Sequence, residues 1–138
     1  MRLPLIIPAL ALVAAPSGAV GLGPLTKEGS IAGPRKAFYL TVVNPEARSM
    51  TYVSNAIGFD DEQAVGRVAI FPASIQLGAY QNRQILVIAS DLQPGETFRF
   101  RVCAERAQPP EGTTIHARVC SKLTARRLPV AAADRRAG

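Results

Sequence analysis

Two stretches in the second half of the chain, TFRFRVCAER (97–106) and TTIHARVCSKL (113–123), alternate residue by residue. A period of two belongs to a strand with one wet and one dry face. In the first, Phe98, Phe100, Val102 and Ala104 share the inward face, and Arg99, Arg101, Cys103 and Glu105 the outward one. In the second, Ile115, Ala117, Val119 and Leu123 share one face, and His116, Arg118, Cys120 and Lys122 the other. A hairpin turning between Gln108 and Gly112 brings them together, and Cys103 opposite Cys120 then sets the register. Apolar residues meet apolar ones: Phe100 faces Leu123 and Ala104 faces Val119. Glu105 faces Arg118, an opposite-charge pair worth about 0.2–1 kcal/mol. One pair disagrees, because Arg101 faces Lys122. An anion between those two cations would turn the clash into a site; without one it is a small exposed penalty.

The rest of the chain supports the same class. No long segment has helical periodicity. Short runs rich in Val, Ile, Phe, Tyr and Thr are separated by Gly, Pro, Asn and Asp, the pattern of an all-β sandwich or barrel. KAFYLTVVN (36–44) is a strand with Phe38, Leu40 and Val42 on one face. Pro45 ends it, having no N–H to give a ladder. MTYVSNAIGF (50–59) is the next strand, followed by the polar loop DDEQAVG, the short runs RVAIFP and SIQL, and the turn GAYQNR. QILVIAS (84–90) is apolar on both faces and is expected to be a central, buried strand. In DLQPGE, Pro94 and Gly95 supply the two backbone conformations of a type II turn. The count is about seven antiparallel strands in roughly 105 residues, the size of an immunoglobulin-like sandwich.

The opening MRLPLIIPALALVAAPSGAVGLG has one basic residue, an apolar run from Leu3 to Ala15, and then small residues. That is the layout of a secretory signal peptide, with cleavage expected after Ala19. The rival is an uncleaved anchor; the run is short for a span of ~20 residues and is interrupted by Pro4 and Pro8. The expected organisation is therefore residues 1–19 as signal peptide, 20–129 as sandwich domain and 130–138 as a disordered tail. Losing Arg2 with the signal leaves fifteen basic and ten acidic side chains, a net charge of +5 scattered over the surface. Export argues against nucleic acid as partner. The chain has two cysteines, and an even count in an exported chain suggests a Cys103–Cys120 disulfide of about 3 kcal/mol; two unpaired thiols are the alternative. His116 is the single histidine. It is expected to be exposed, and no zinc-binding spacing or nucleophile–base pair surrounds it. No cofactor, metal site or catalytic residue is expected.

In order along the chain come VVNPEAR, then IFPASIQLGAYQNRQILV, then LQPGETFRFRVCAERAQPP, then the second alternating strand. The positions that matter are Phe71-Pro72, Leu77, Gln84 to Val87, Glu96, Phe98, Phe100 and Pro109-Pro110. Over roughly residues 22–129 the chain resembles the N-terminal domain of the periplasmic pilus-assembly chaperones, the PapD-like family. The resemblance implies a periplasmic protein that lends its last strand to fimbrial subunits lacking one, a form of β-augmentation. It implies Ile115, Ala117 and Val119 as donor side chains. It implies Lys27 and Lys122 as candidate anchors for a subunit's terminal carboxylate. A branch of the family bridges the last two strands of this domain, as Cys103 and Cys120 would. An outer-membrane usher is a further implied partner, and no membrane anchor is. Family members carry two sandwich domains, so a single-domain relative, or half of a system completed by another subunit, is the expectation here. The alternative function is an immunoglobulin-like structural subunit of a surface fibre. Such subunits supply an alternating N-terminal extension, and VGLGPLTKEGSIAG is Gly-rich and alternates poorly.

The mature protein should begin at Val20. N-terminal sequencing of a periplasmic extract checks this, and an intact Met1 in the membrane fraction would contradict it.

Overall fold

The computed structural model describes Pro4, residues 20–108 and residues 117–129. The expected signal peptide, the hairpin tip with Ile115 and His116, and the tail from 130 on lie outside the described residues. The described chain is all-β, with nine strands in two sheets. One sheet has four strands in the order β1 (Gly21–Gly23), β3 (Lys36–Val43), β7 (Asn82–Ala89) and β5 (Val68–Phe71). The other has five, in the order β2 (Thr26–Ile31), β9 (Arg118–Arg127), β8 (Thr97–Arg106), β4 (Met50–Gly58) and β6 (Ser74–Leu77).

The inward faces meet as the alternation requires. Phe38, Leu40 and Val42 of β3 and Ile85, Val87 and Ala89 of β7 pack against Tyr52, Phe100, Val102, Ala104, Leu123 and Ala125 of the opposite sheet. Fully burying each of the larger aliphatic or aromatic side chains contributes about 1.5–3 kcal/mol. The edge of the Phe38 ring approaches Phe100 at 6.3 Å, and Phe98 stacks on Phe100 at 5.0 Å. The corner after β3 is closed by the buried side chain of Asn44. Its amide donates to the carbonyls of Arg48, Leu77 and Gly78, and its oxygen accepts from the Tyr52 hydroxyl at 2.8 Å and the Glu46 N–H at 3.0 Å. A buried amide needs such partners, since leaving one unpaired costs about 1–3 kcal/mol.

Three expectations change. There are nine strands, not seven, because β1 and β2 form from the Gly-rich segment after Val20. The chain leaves one sheet for the other between them, at Pro24 and Leu25. The sheets are not wholly antiparallel: β2 runs parallel to β9, from Thr26 opposite Lys122 to Ile31 opposite Arg127. The strand β7 is interior, between β3 and β5, but only Ile85, Val87 and Ala89 are buried. Leu86 and Ile88 are half-buried, because among the described residues no further layer covers the outer face of the four-stranded sheet.

The turn before β8 follows its sequence. Gly95 takes a φ of 76°, and the Glu96 N–H donates to the Gln93 carbonyl at 2.9 Å. The Glu96 carboxylate accepts two bonds from the Arg67 guanidinium, at 2.8 and 2.9 Å, and one from the Gln93 N–H at 2.8 Å. Arg67 in turn lies 4.3 Å over the Phe98 ring. These bonds, that from Arg67 first, pull the Glu96 carboxyl down to about 2. A carboxylate depressed on folding adds stability that is complete above its ordinary value of about 4.5 and lost as pH falls towards about 2. Glu96→Gln should therefore melt below wild type at pH 6. The gap should close progressively between pH 4.5 and about 2, as thermal melts across that range would show.

Candidate functional site

The strand β9 has two edges, and they differ along its length. On one side it pairs with β8 from Arg118 to Arg126. The register is the one that pairing the cysteines implies: Cys103 faces Cys120, Glu105 faces Arg118, Phe100 faces Leu123, Ala104 faces Val119 and Arg101 faces Lys122. A disulfide joins Cys103 to Cys120. On the other side, pairing with β2 begins only at Lys122. The Lys122 N–H reaches the Leu25 carbonyl at 2.8 Å, and the buried Ser121 hydroxyl donates to the Pro24 carbonyl at 2.6 Å. Beyond that point β1 has crossed to the other sheet. Among the described residues, no strand pairs with the second edge of Arg118 to Ser121. A strand edge with unpaired N–H and C=O groups is a template for another strand.

The side chains change along the same strand. Ser121, Leu123 and Ala125 are fully buried in the core. Val119, on the same face, is half-buried against that core. Ala117, the next residue of that parity, is exposed. Of the three donor candidates, then, Ala117 is open, Val119 is at the margin and Ile115 lies outside the described residues. One face is core at its C-terminal end and solvent-facing at its N-terminal end.

The lysine candidates sit on neighbouring strands but on opposite faces. Lys27 is the partner of Leu123, so it shares the inward face, and its ammonium donates to the Tyr39 carbonyl at 3.4 Å. Lys122 is on the outward face, exposed, with Nζ 5.6 Å from the centre of the Phe59 ring. The structure does not bring the two together as a clamp.

Sequence reasoning missed the acidic partner of the outward arginines. Arg101 does not press against Lys122. It turns towards the loop after β4, where Nε donates to the Gly58 carbonyl at 2.9 Å and Nη2 to the Asp61 carbonyl at 2.7 Å. Nη2 also lies 3.3 Å from the Glu62 carboxylate. Arg118 does not close on Glu105 across the ladder; its Nη2 lies 2.7 Å from both oxygens of Glu62. The Glu62 carboxyl is held below its ordinary value, chiefly by the hydrogen bond from Arg118. Arg99 joins Lys122 at the Phe59 ring, 5.9 Å from its centre. The acidic run DDE, at the end of the strand next to β8 and two strands from β9, was the available signal. Among the described residues no group of His, Cys, Asp and Glu is placed to hold a metal ion.

No protein-family model matches the chain, and no curated protein matches its sequence. Solved structures do match its fold. The E. coli chaperone DraB superposes with a TM-score of 0.62 at 17% identity, over 79% of this chain and 55% of DraB. The Salmonella enterica SafB chaperone, solved with the SafA pilin, superposes with a TM-score of 0.66 at 19% identity, over 83% of this chain and 57% of the other. The chain thus spans a little over half the length of these chaperones. A PapD-like domain of human CEP192 has a TM-score of 0.63 at 10% identity, over 94% of this chain and 99% of that domain. The fold is PapD-like and immunoglobulin-like, and it is shared by proteins that differ widely in sequence.

Protein isolated under oxidising conditions should contain the Cys103–Cys120 bridge. Alkylation without reduction should add no mass, and alkylation after reduction should add two equivalents. Two thiols already reactive before reduction would refute the bridge.

Proposed function

We propose that the protein is a periplasmic chaperone-like binding module that completes fimbrial subunits by lending them the open edge of β9. The observation that carries this reading is the half-paired strand. From Arg118 to Ser121, β9 has β8 on one side and, among the described residues, no strand on the other, while Ala117 on its donor face is exposed. An incoming sandwich that lacks a strand would find backbone donors and acceptors along that edge and alternate side chains to fill its groove. The likeness to DraB and SafB supports the same reading at the level of fold, and the SafB structure holds a pilin. In this reading Ile115, Ala117 and Val119 are the lent side chains, and an outer-membrane usher receives the complex. The carboxylate anchor falls to Lys122, which is exposed; Lys27 faces the other way and acts through its contact with the Tyr39 carbonyl.

The alternative, a structural subunit of a fibre, is less well supported. Its extension would come from the N-terminal segment, but β1 and β2 are docked one into each sheet of their own domain. Its last strand would be missing, but β9 is paired on both sides from Lys122 to Arg126.

The test is Ala117→Asp. A charge at this exposed site should leave the melting temperature of the free protein within about 2 °C of wild type, as surface substitutions do. Buried unpaired in a complex, the same charge costs several kcal/mol, enough to abolish co-purification with co-expressed fimbrial subunits. A mutant that melts far below wild type would place Ala117 in the protein's own core and remove the argument for donation. Lys122→Glu should weaken capture at unchanged stability, and Lys27→Glu should weaken it less.

A further inference from the structure

The open part of β9 begins at Arg118, and the side chain of Arg118 is not free. The register offers it Glu105 as a cross-strand partner, yet both short contacts of its Nη2 are with Glu62, on the loop between β4 and β5. That loop is itself fastened to β8. The side chain of Arg101 is only 17% exposed and bonds the carbonyls at both ends of the turn, Gly58 and Asp61, besides touching Glu62. The loop is also tied back on β4, through the Val65 N–H to the Ala56 carbonyl and the Gly58 N–H to the Gln63 carbonyl. One carboxylate therefore joins the middle strand β8, through Arg101, to the first residue of β9, through Arg118. Without it, the segment from Arg118 to Ser121 is held by β8 and the disulfide on one side and, among the described residues, by no strand ladder on the other, where the Ser121 hydroxyl on the Pro24 carbonyl is its tie.

We propose that Glu62 is a positioning residue for the open edge of β9, latching Arg118 so that the unpaired segment stays in register with β8 and is presented as a ready strand. This inference rests on the donor-strand reading for its purpose, but not for its test. Glu62 is 60% exposed, so the latch is not a prop of global stability. Its effect is local, on a segment that lacks the second ladder enjoyed by Lys122 to Arg127. The charged groups around the latch are Arg101 from β8 and Arg118 from β9, both in contact with Glu62, and Glu105 from β8, which lines the same recess. Glu105 is the one other carboxylate opposite Arg118, so it is the fallback if Glu62 is neutralised.

The test is residue-resolved amide hydrogen exchange on the free, full-length protein, comparing wild type with Glu62→Gln, Arg118→Gln and the double variant. The Val119 and Ser121 amides, which face β8, should exchange about fivefold faster in Arg118→Gln, the size expected of an exposed ion pair, and up to that much faster in Glu62→Gln; the Arg118 and Cys120 amides point to the open edge and are not read. The double variant should not exceed Arg118→Gln, and the amides from Lys122 to Arg127 should not change. In wild type, 1 M NaCl, where the screening length is about 3 Å, should reproduce the rise; in the double variant it should add nothing. Unchanged exchange in both single variants overturns the proposal, as does additivity in the double or a uniform rise along all of β9. Because the readout needs no partner, a failure here is distinct from a failure of Ala117→Asp to block subunit capture. The latter would remove the lending of the strand and leave the latch standing.

Discussion

Slipping β9 by one residue against β8 would turn Leu123 and Ala125 out to solvent and drive Lys122 and Arg126 into the core. Each turned aliphatic forfeits its burial, and each buried cation would lack a partner, so the slip is prohibitive. The remaining pairings of the five-stranded sheet are set from this one. The strand β4 lies on β8 in a register that places Tyr52 over the core, and there its hydroxyl reaches the Asn44 side chain and closes the first corner. At the far end, Gly95 and Glu96 exchange backbone hydrogen bonds with Arg127, which ties the turn before β8 to the end of β9. The disulfide joins two residues the ladder already holds opposite each other. Its main effect is on the unfolded chain, where it removes the freedom of the loop it closes.

A strand that is both part of a core and available to a partner faces opposed demands. Side chains that hold the domain together must be dry, and side chains that enter another protein must be uncovered. The protein divides these demands along β9. Lys122 to Arg126 belong to the domain, with a strand on either side, and among the described residues the stretch before them is paired on one side only. The boundary is where the first segment of the chain leaves β9 at Pro24 and Leu25 for the other sheet. Proline has no N–H to offer a ladder, so the departure point is written into the backbone chemistry.

Most of this was readable before any coordinates. Alternation in Thr97–Arg106 and the half after His116 located two strands, and the cysteine pair chose their register, because a period of two with one dry face excludes slips of one residue but not of two. The Pro-Gly turn before Glu96 followed from the conformations those two residues allow. The first two strands were not readable. The inward positions of β2 are Lys27, Gly29 and Ile31, a poor apolar face, and β1 has a single buried apolar residue, Leu22, between two glycines. A Cβ on Gly29 would meet only the movable end of the Lys36 side chain and touch Phe38 at ordinary contact distance, so the glycine gives no apolar signal to read. The outward face was half readable. The clash of Arg101 with Lys122 was visible in the register, but its relief by Glu62 joins residues 39 positions apart through a loop with no periodicity. The two lysines were placed by resemblance alone, and parity on a parallel strand, which puts them on opposite faces, could be known only once the direction of β2 was known.

The parallel pairing of β2 with β9 also governs the order in which the domain can assemble. The Ser121 hydroxyl and the Pro24 carbonyl are 97 residues apart. Every contact between these two strands closes a loop containing almost the whole domain, the most delayed kind of contact for a folding chain. Hairpins such as β8 with β9 can form from near neighbours. Thr26 to Ile31, although among the first to emerge from any pore or ribosome, must wait for a partner among the last. Until that partner arrives, β9 is open along both its upper and lower halves, and it is the return of the chain's beginning that leaves a single short stretch exposed.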